Sequence, residues 1–119
     1  MESKVKNMSN AIKLFYWNYD ADEGVSSDDH YEAPLEETIE CMENLPDSDG
    51  NFLGLELPDG EIIQFMHDDN RGLYLDIPVV NEGGSYAKVI DISACLDIIR
   101  DMYTGKKPRD IEGLVFESY

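Results

Sequence analysis

The sequence predicts an α+β domain: an antiparallel β-sheet meander with two helices, in the order β-α-β-β-β-β-α-β. Three observations carry this. Short apolar runs with period-two alternation fill the middle of the chain and are separated by turn residues. Two longer stretches repeat apolar residues at helical spacing and end on helix-stop residues. The 119 residues, 42% hydrophobic and 10% aromatic, suffice for one core and leave no room for a second.

Residues 1–10 read as a ragged lead-in. Ala11 to Tyr19 (AIKLFYWNY) is the first strand, with Phe15, Trp17 and Tyr19 on one face and Ile12, Leu14 and Tyr16 on the other. A strand apolar on both faces is expected to be covered on both, or to lie under the loop that follows. Asp20 to Ala33 is that loop, with six acids, a glycine and two serines and no periodicity. Fourteen such residues are long for a compact domain, and loops of this kind tend to be functional or disordered.

Pro34 to Leu45 is the first helix. Pro34 suits the first helical position, and Glu36 and Glu37 in the first turn complement the helix dipole. Leu35, Ile39, Met42 and Leu45 form the expected buried stripe, while Glu36, Glu40 and Glu43 form a separate carboxylate stripe. Asn51–Leu57 alternates with Leu53, Leu55 and Leu57 inward. Pro58-Asp59-Gly60 is its turn, and Glu61–His67 is the hairpin partner. Leu73–Ile77 and Ser85–Ile90 continue the meander. Asp91 or Ser93 caps a second helix running to about Thr104, with Ile92, Leu96, Ile99 and Tyr103 inward and Cys95 and Met102 flanking. Gly105 is the expected left-handed stop, Pro108 blocks continuation, and Gly113–Glu117 closes the sheet.

Charge narrows the function classes. The chain holds 26 acids and 9 Lys or Arg, a formal net charge of −17. Residues 14–70 carry 17 acids and no Lys or Arg. A surface of this kind excludes direct binding of nucleic acid and of anionic lipid. No apolar run is long enough for a membrane span, and the first residues lack a signal-peptide core. Cys41 and Cys95 fall at apolar positions of the two helices, as expected of reduced, buried thiols in a cytoplasmic protein.

Chemistry-bearing motifs are absent. An EF-hand loop begun at Asp47 would put Phe52 at position 6 and Pro58 at position 12; one begun at Asp20 would put Val25 and Tyr31 there. His30 and His67 do not have zinc-ligand spacing, and His67 reads as an exposed residue at a turn. No nucleophile elbow or phosphate loop occurs. No cofactor, metal or catalytic residue is assigned, and the protein reads as a non-enzyme.

What remains is a carboxylate array complementary to a patch of Lys and Arg. Its candidate residues are Glu36, Glu40 and Glu43 on the first helix, Asp28 and Asp29 in the loop, and Asp68 and Asp69 in a turn, with Tyr31 as an aromatic anchor. Basic surfaces of matching strength belong to nucleic-acid-binding and nucleic-acid-cutting proteins.

The stretch Val89–Pro108 (VIDISACLDIIRDMYTGKKP), ending Tyr103-Thr104-Gly105-Lys106-Lys107-Pro108, resembles the end of Imm1-type immunity proteins of bacterial polymorphic toxin systems. The upstream helix Pro34–Leu45 and the strands from Phe52 to Ile77 are similar to that family's arrangement as well. The resemblance implies an inhibitor that blocks a cognate toxin, often a nuclease or a nucleic-acid deaminase. Two other readings compete: an acidic DNA mimic acting on a restriction or CRISPR nuclease, and a small ligand-binding domain or enzyme.

Overall fold

The computed structural model describes residues 11–119; the lead-in expected over residues 1–10 lies outside the described residues. The described chain forms one antiparallel sheet of eight strands and two helices, an α+β fold. The strands are β1 (Lys13–Asn18), β2 (Glu23–Val25), β3 (Tyr31–Glu32), β4 (Phe52–Glu56), β5 (Ile62–Asp68), β6 (Gly72–Val79), β7 (Gly84–Val89) and β8 (Val115–Ser118). Helix α1 (Leu35–Asn44) lies between β3 and β4, and α2 (Ile92–Tyr103) between β7 and β8. The spatial order is β2-β1-β4-β5-β6-β7-β8, with β3 also paired to β1.

The main departure from expectation is the Asp20–Ala33 segment. It contains two short strands, both bonded to the edge of β1 that β4 leaves open: β2 through Tyr16↔Val25 to Asn18↔Glu23, and β3 through Lys13↔Glu32 and Leu14↔Tyr31. Neither strand is long enough to show alternation, so periodicity could not reveal them.

Alternation along the strands divides the sheet into two faces. The inner face carries Leu14, Leu53, Leu55, Ile63, Phe65, Leu75 and Ile77, all fully buried. Against it pack Met42 and Leu45 of the α1 region and Cys95, Ile99 and Met102 of α2. Each such burial contributes roughly 1.5–3 kcal/mol. The two helices are joined by the Tyr103 hydroxyl, which donates to the Ala33 carbonyl at 2.9 Å and lies 2.8 Å from Thr38 Oγ1.

Other boundaries move by a few residues. Pro34 is the N-cap of α1 rather than its first helical residue, with extended backbone (ψ 164°). Thr38 is fully buried in α1, which the expected apolar stripe omitted, because its hydroxyl has the Tyr103 partner. Strand β6 runs on through Pro78 to Val79, because pairing with β5 has stopped at Asp76 and a proline is tolerated where the strand is bonded on one side. Asp91, not Ser93, caps α2, its Oδ1 accepting from the Ala94 N–H at 2.8 Å. The buried face of α2 centres on Cys95, Ile99 and Met102, while Ile92, the first helical residue, is 46% exposed rather than inward. Gly105 has φ +98°, the left-handed stop expected after α2.

Candidate partner-binding site

The helix-side rim of the sheet holds the first part of the site. Tyr16 and Asn18 project from β1 on the inner face, Glu23 of β2 is paired with Asn18, Tyr31 of β3 is paired with Leu14, and α1 runs alongside. Together with Glu37, Glu40, Cys41 and Asn44 of α1 they line a groove of about 280 Å³. The Tyr31 hydroxyl donates to Glu37 Oε2 at 2.5 Å, and this bond to a carboxylate holds its pKa far above the ordinary phenol value. Cys41 is half-buried in the groove wall. Burial, reinforced by Glu37, pushes its thiol up to about 11, so it is protonated at neutral pH.

A corner of acidic turns adjoins the groove. The side chain of Asn51, fully buried, accepts from the Tyr19 N–H at 2.7 Å and donates to Asp20 Oδ2 at 3.1 Å and to the Pro46 carbonyl at 3.0 Å. Its backbone bonds the Ser48 carbonyl and the His67 N–H. The Asp69 N–H donates to Asp49 Oδ1 at 2.9 Å. One satisfied amide thereby gathers the end of β1, the turn after α1 and the β5–β6 turn, bringing Asp20, Asp47, Asp49, Asp68 and Asp69 to one end of the sheet.

The anticipated residues divide between two sides. Tyr31 and Glu40 line the groove, and Glu36 and Glu43 continue from Glu40 along exposed α1. Asp69 lies in the acidic corner. Asp68 is there too, but its Oδ1 accepts from the Asn70 and Arg71 N–H groups, so its carboxylate shapes the turn. Asp28 and Asp29 are carried away from α1. Their loop turns over the sheet edge: His30 bonds Glu56, an outer-face residue, at 2.8 Å, and Ser26 and Ser27 border an outer-face groove. Glu23 and Glu37 were not singled out from the sequence. Glu37 is off the Glu36-Glu40-Glu43 stripe, and its pairing with Tyr31 depends on how the chain turns at Pro34.

His67 is not an exposed turn residue. It sits on β5 in alternation with Ile63 and Phe65, half-buried, and burial depresses its pKa below 6.5 despite the nearby Asp47. Its Nε2 is buried without a hydrogen-bond partner among the described residues. No cluster of three or more His, Cys, Asp or Glu among the described residues is arranged to hold a metal ion. No helix among them is long and apolar enough to cross a membrane.

The ion pairs define the electrostatics. Arg71–Glu117, Arg100–Asp97, Lys106–Asp101 and Arg109–Glu82 all close within residues 71–119. Among the described residues Lys107 alone crosses over, to Asp59 at 2.9 Å, and the pair holds the Asp59 carboxyl below its ordinary range. Among the described residues, no Lys or Arg pairs with any acid of α1, of the groove or of the acidic corner.

No protein-family model, curated protein or solved structure matches the chain.

Proposed function

We propose that this protein is an immunity-type inhibitor that binds a basic partner, a bacterial toxin domain acting on nucleic acid, and occludes it. The observation that supports this reading is the uncompensated charge of α1 and the segments around it. Residues 14–70 hold 17 acids, and among the described residues Lys107, paired with Asp59, is the one Lys or Arg that forms an ion pair with any of them. Like charges at this density oppose compaction, and a cationic partner relieves the repulsion. Such an inhibitor needs no chemistry of its own. It needs a rigid scaffold, a charged face that accelerates encounter, and a few anchors. The groove beside Tyr31, with Glu23, Glu37 and Glu40, and the exposed Glu36 and Glu43 supply the docking face. The resemblance of Val89–Pro108 to Imm1-type immunity proteins points the same way.

Immobilised protein exposed to lysate of its native host should retain one basic protein, whose nucleic-acid-directed activity falls in the complex. The E36K/E40K/E43K variant should fold normally and fail to retain it. Equal retention by the variant would move the site off α1. Release of several unrelated DNA-binding proteins from DNA would instead favour the DNA-mimic reading.

A further inference from the structure

The molecule builds the same three-part unit twice: an aromatic ring, a guanidinium stacked on it, and a carboxylate holding the guanidinium. Arg71 lies over the Tyr74 ring at 4.3 Å and bonds Glu117 at 2.5 Å. Arg109 lies over the Tyr86 ring at 4.1 Å and bonds Glu82 at 3.3 Å. A third set of rings stands on the outer face. Phe15, Trp17 and Tyr19 alternate along β1, with Phe52 beside Phe15 at 6.2 Å and Tyr19 beside Trp17 at 6.4 Å. They line a groove of about 660 Å³ with Asp22, Ser26, Ser27 and Gln64 on its borders. Asp22 has φ +54° in the turn from β1 to β2, a turn held by Asn18 Oδ1, which accepts from the Asp20 and Ala21 N–H groups. Rings and carboxylate are present here; among the described residues that line the groove there is no Arg or Lys.

We propose that this outer-face groove is an arginine-binding site, in which a guanidinium from a basic partner stacks on Trp17 and Tyr19 and pairs with Asp22. The inference rests on the reading that the partner is basic, and adds a specific anchor on the sheet face opposite α1. Arginine fits better than lysine. Its planar, weakly hydrated guanidinium stacks on a ring while its edge donates to a carboxylate, and the hydroxyls of Ser26 and Ser27 and the Gln64 amide can accept the remaining N–H groups. The rim acids at the β2–β3 edge would let one partner hold both faces at once, with Asp28 and Asp29 on the loop that crosses between them.

Trp17 is the single tryptophan, so the site carries its own fluorescent reporter. Hexa-arginine and hexa-lysine peptides should be titrated at low salt, following calorimetric binding and Trp17 emission together. The arginine peptide is expected to change Trp17 emission saturably and to bind about 5-fold more tightly than the lysine peptide. Tyr19 is 61% exposed, so Y19S should keep the fold; it and D22N should each bring the two affinities together. E36Q/E40Q/E43Q should weaken both peptides equally and keep the arginine preference. Equal affinities with unchanged Trp17 emission would overturn the arginine site while leaving the acidic-face reading intact. Absence of binding by either peptide would overturn both. An arginine preference untouched by Y19S and D22N, or a Trp17 change driven by protein concentration alone, would also overturn the assignment.

Discussion

Residues 14–70 and 71–119 share one continuous sheet and manage charge in opposite ways. In the later half, Arg71, Arg100, Lys106 and Arg109 are each paired with an acid of that half, and two aromatic rings are covered by the half's own guanidinium groups. In the earlier half the carboxylates are displayed, and among the described ion pairs to Lys or Arg only Asp59 takes part. A self-neutralised surface gains little from any partner. An uncompensated one gains Coulomb energy from a cationic partner and loses repulsion as well. On the proposed reading, the contrast separates scaffold from docking surface within one fold.

Reversing the charge of Glu36, Glu40 and Glu43 attacks the contrast most directly. Association with the basic partner should slow by about 100-fold at low salt, and the difference should shrink as added salt screens it, as stopped-flow mixing would show. The unfolding free energy should change little, because all three side chains are exposed.

The complementary change belongs to the scaffold. Ile99→Ala empties a fully buried position of α2 and should cost about 3 kcal/mol in denaturant unfolding, with the association rate unaltered. A slower association in that variant would mean that the two halves do not divide the work in this way.

A finer test uses pH. Burial keeps the folded-state pKa of His67 below its ordinary 6.5, with Asp47 only partly opposing. The unfolded chain therefore takes up a proton that the folded chain resists, and this site withdraws stability as pH falls below about 6.5. The signal is the difference between wild type and His67→Asn, in which every contribution common to the two proteins cancels. The wild type should lose stability relative to the variant from pH 7.5 to pH 5.5.

The smallest effect is expected at Arg71. Its pair with Glu117 is partly exposed, so Arg71→Met should cost no more than about 0.5 kcal/mol by chemical denaturation. A much larger loss would make the ring–guanidinium–carboxylate unit a structural staple rather than surface dressing.

The sequence disclosed some of this and concealed the rest for physical reasons. The helices and the β4–β5–β6–β7 meander were legible because each carries its own periodicity and its own stop, such as Asp91 before α2 or the Pro58-Asp59-Gly60 turn after β4. Strands β2 and β3 were not, because three- and two-residue strands exist only through pairing with β1. The same holds for the site. The stripe of Glu36, Glu40 and Glu43 follows from helical spacing. The joining of Tyr31 to Glu37, and the departure of Asp28 and Asp29 to the other face, depend on which way the chain turns at each end of β3. The inward turn of His67 was concealed by the aspartates beside it, which mimic an exposed turn.

Asn51 has a kinetic consequence. Tyr19 lies at an exposed bend, where an amide proton ordinarily exchanges with solvent in local openings that cost little free energy. Here that proton is held by the side chain of a fully buried residue, one that is also bonded to Asp20, Pro46, Ser48 and His67. Letting it go requires the corner to come apart as a unit. The Tyr19 amide should therefore exchange as slowly as those of the central strands, and Asn51→Ala should accelerate it together with the amides of Asn51 and His67. Hydrogen exchange would then register the acidic corner as part of the cooperative core, although it lies at the molecule's surface.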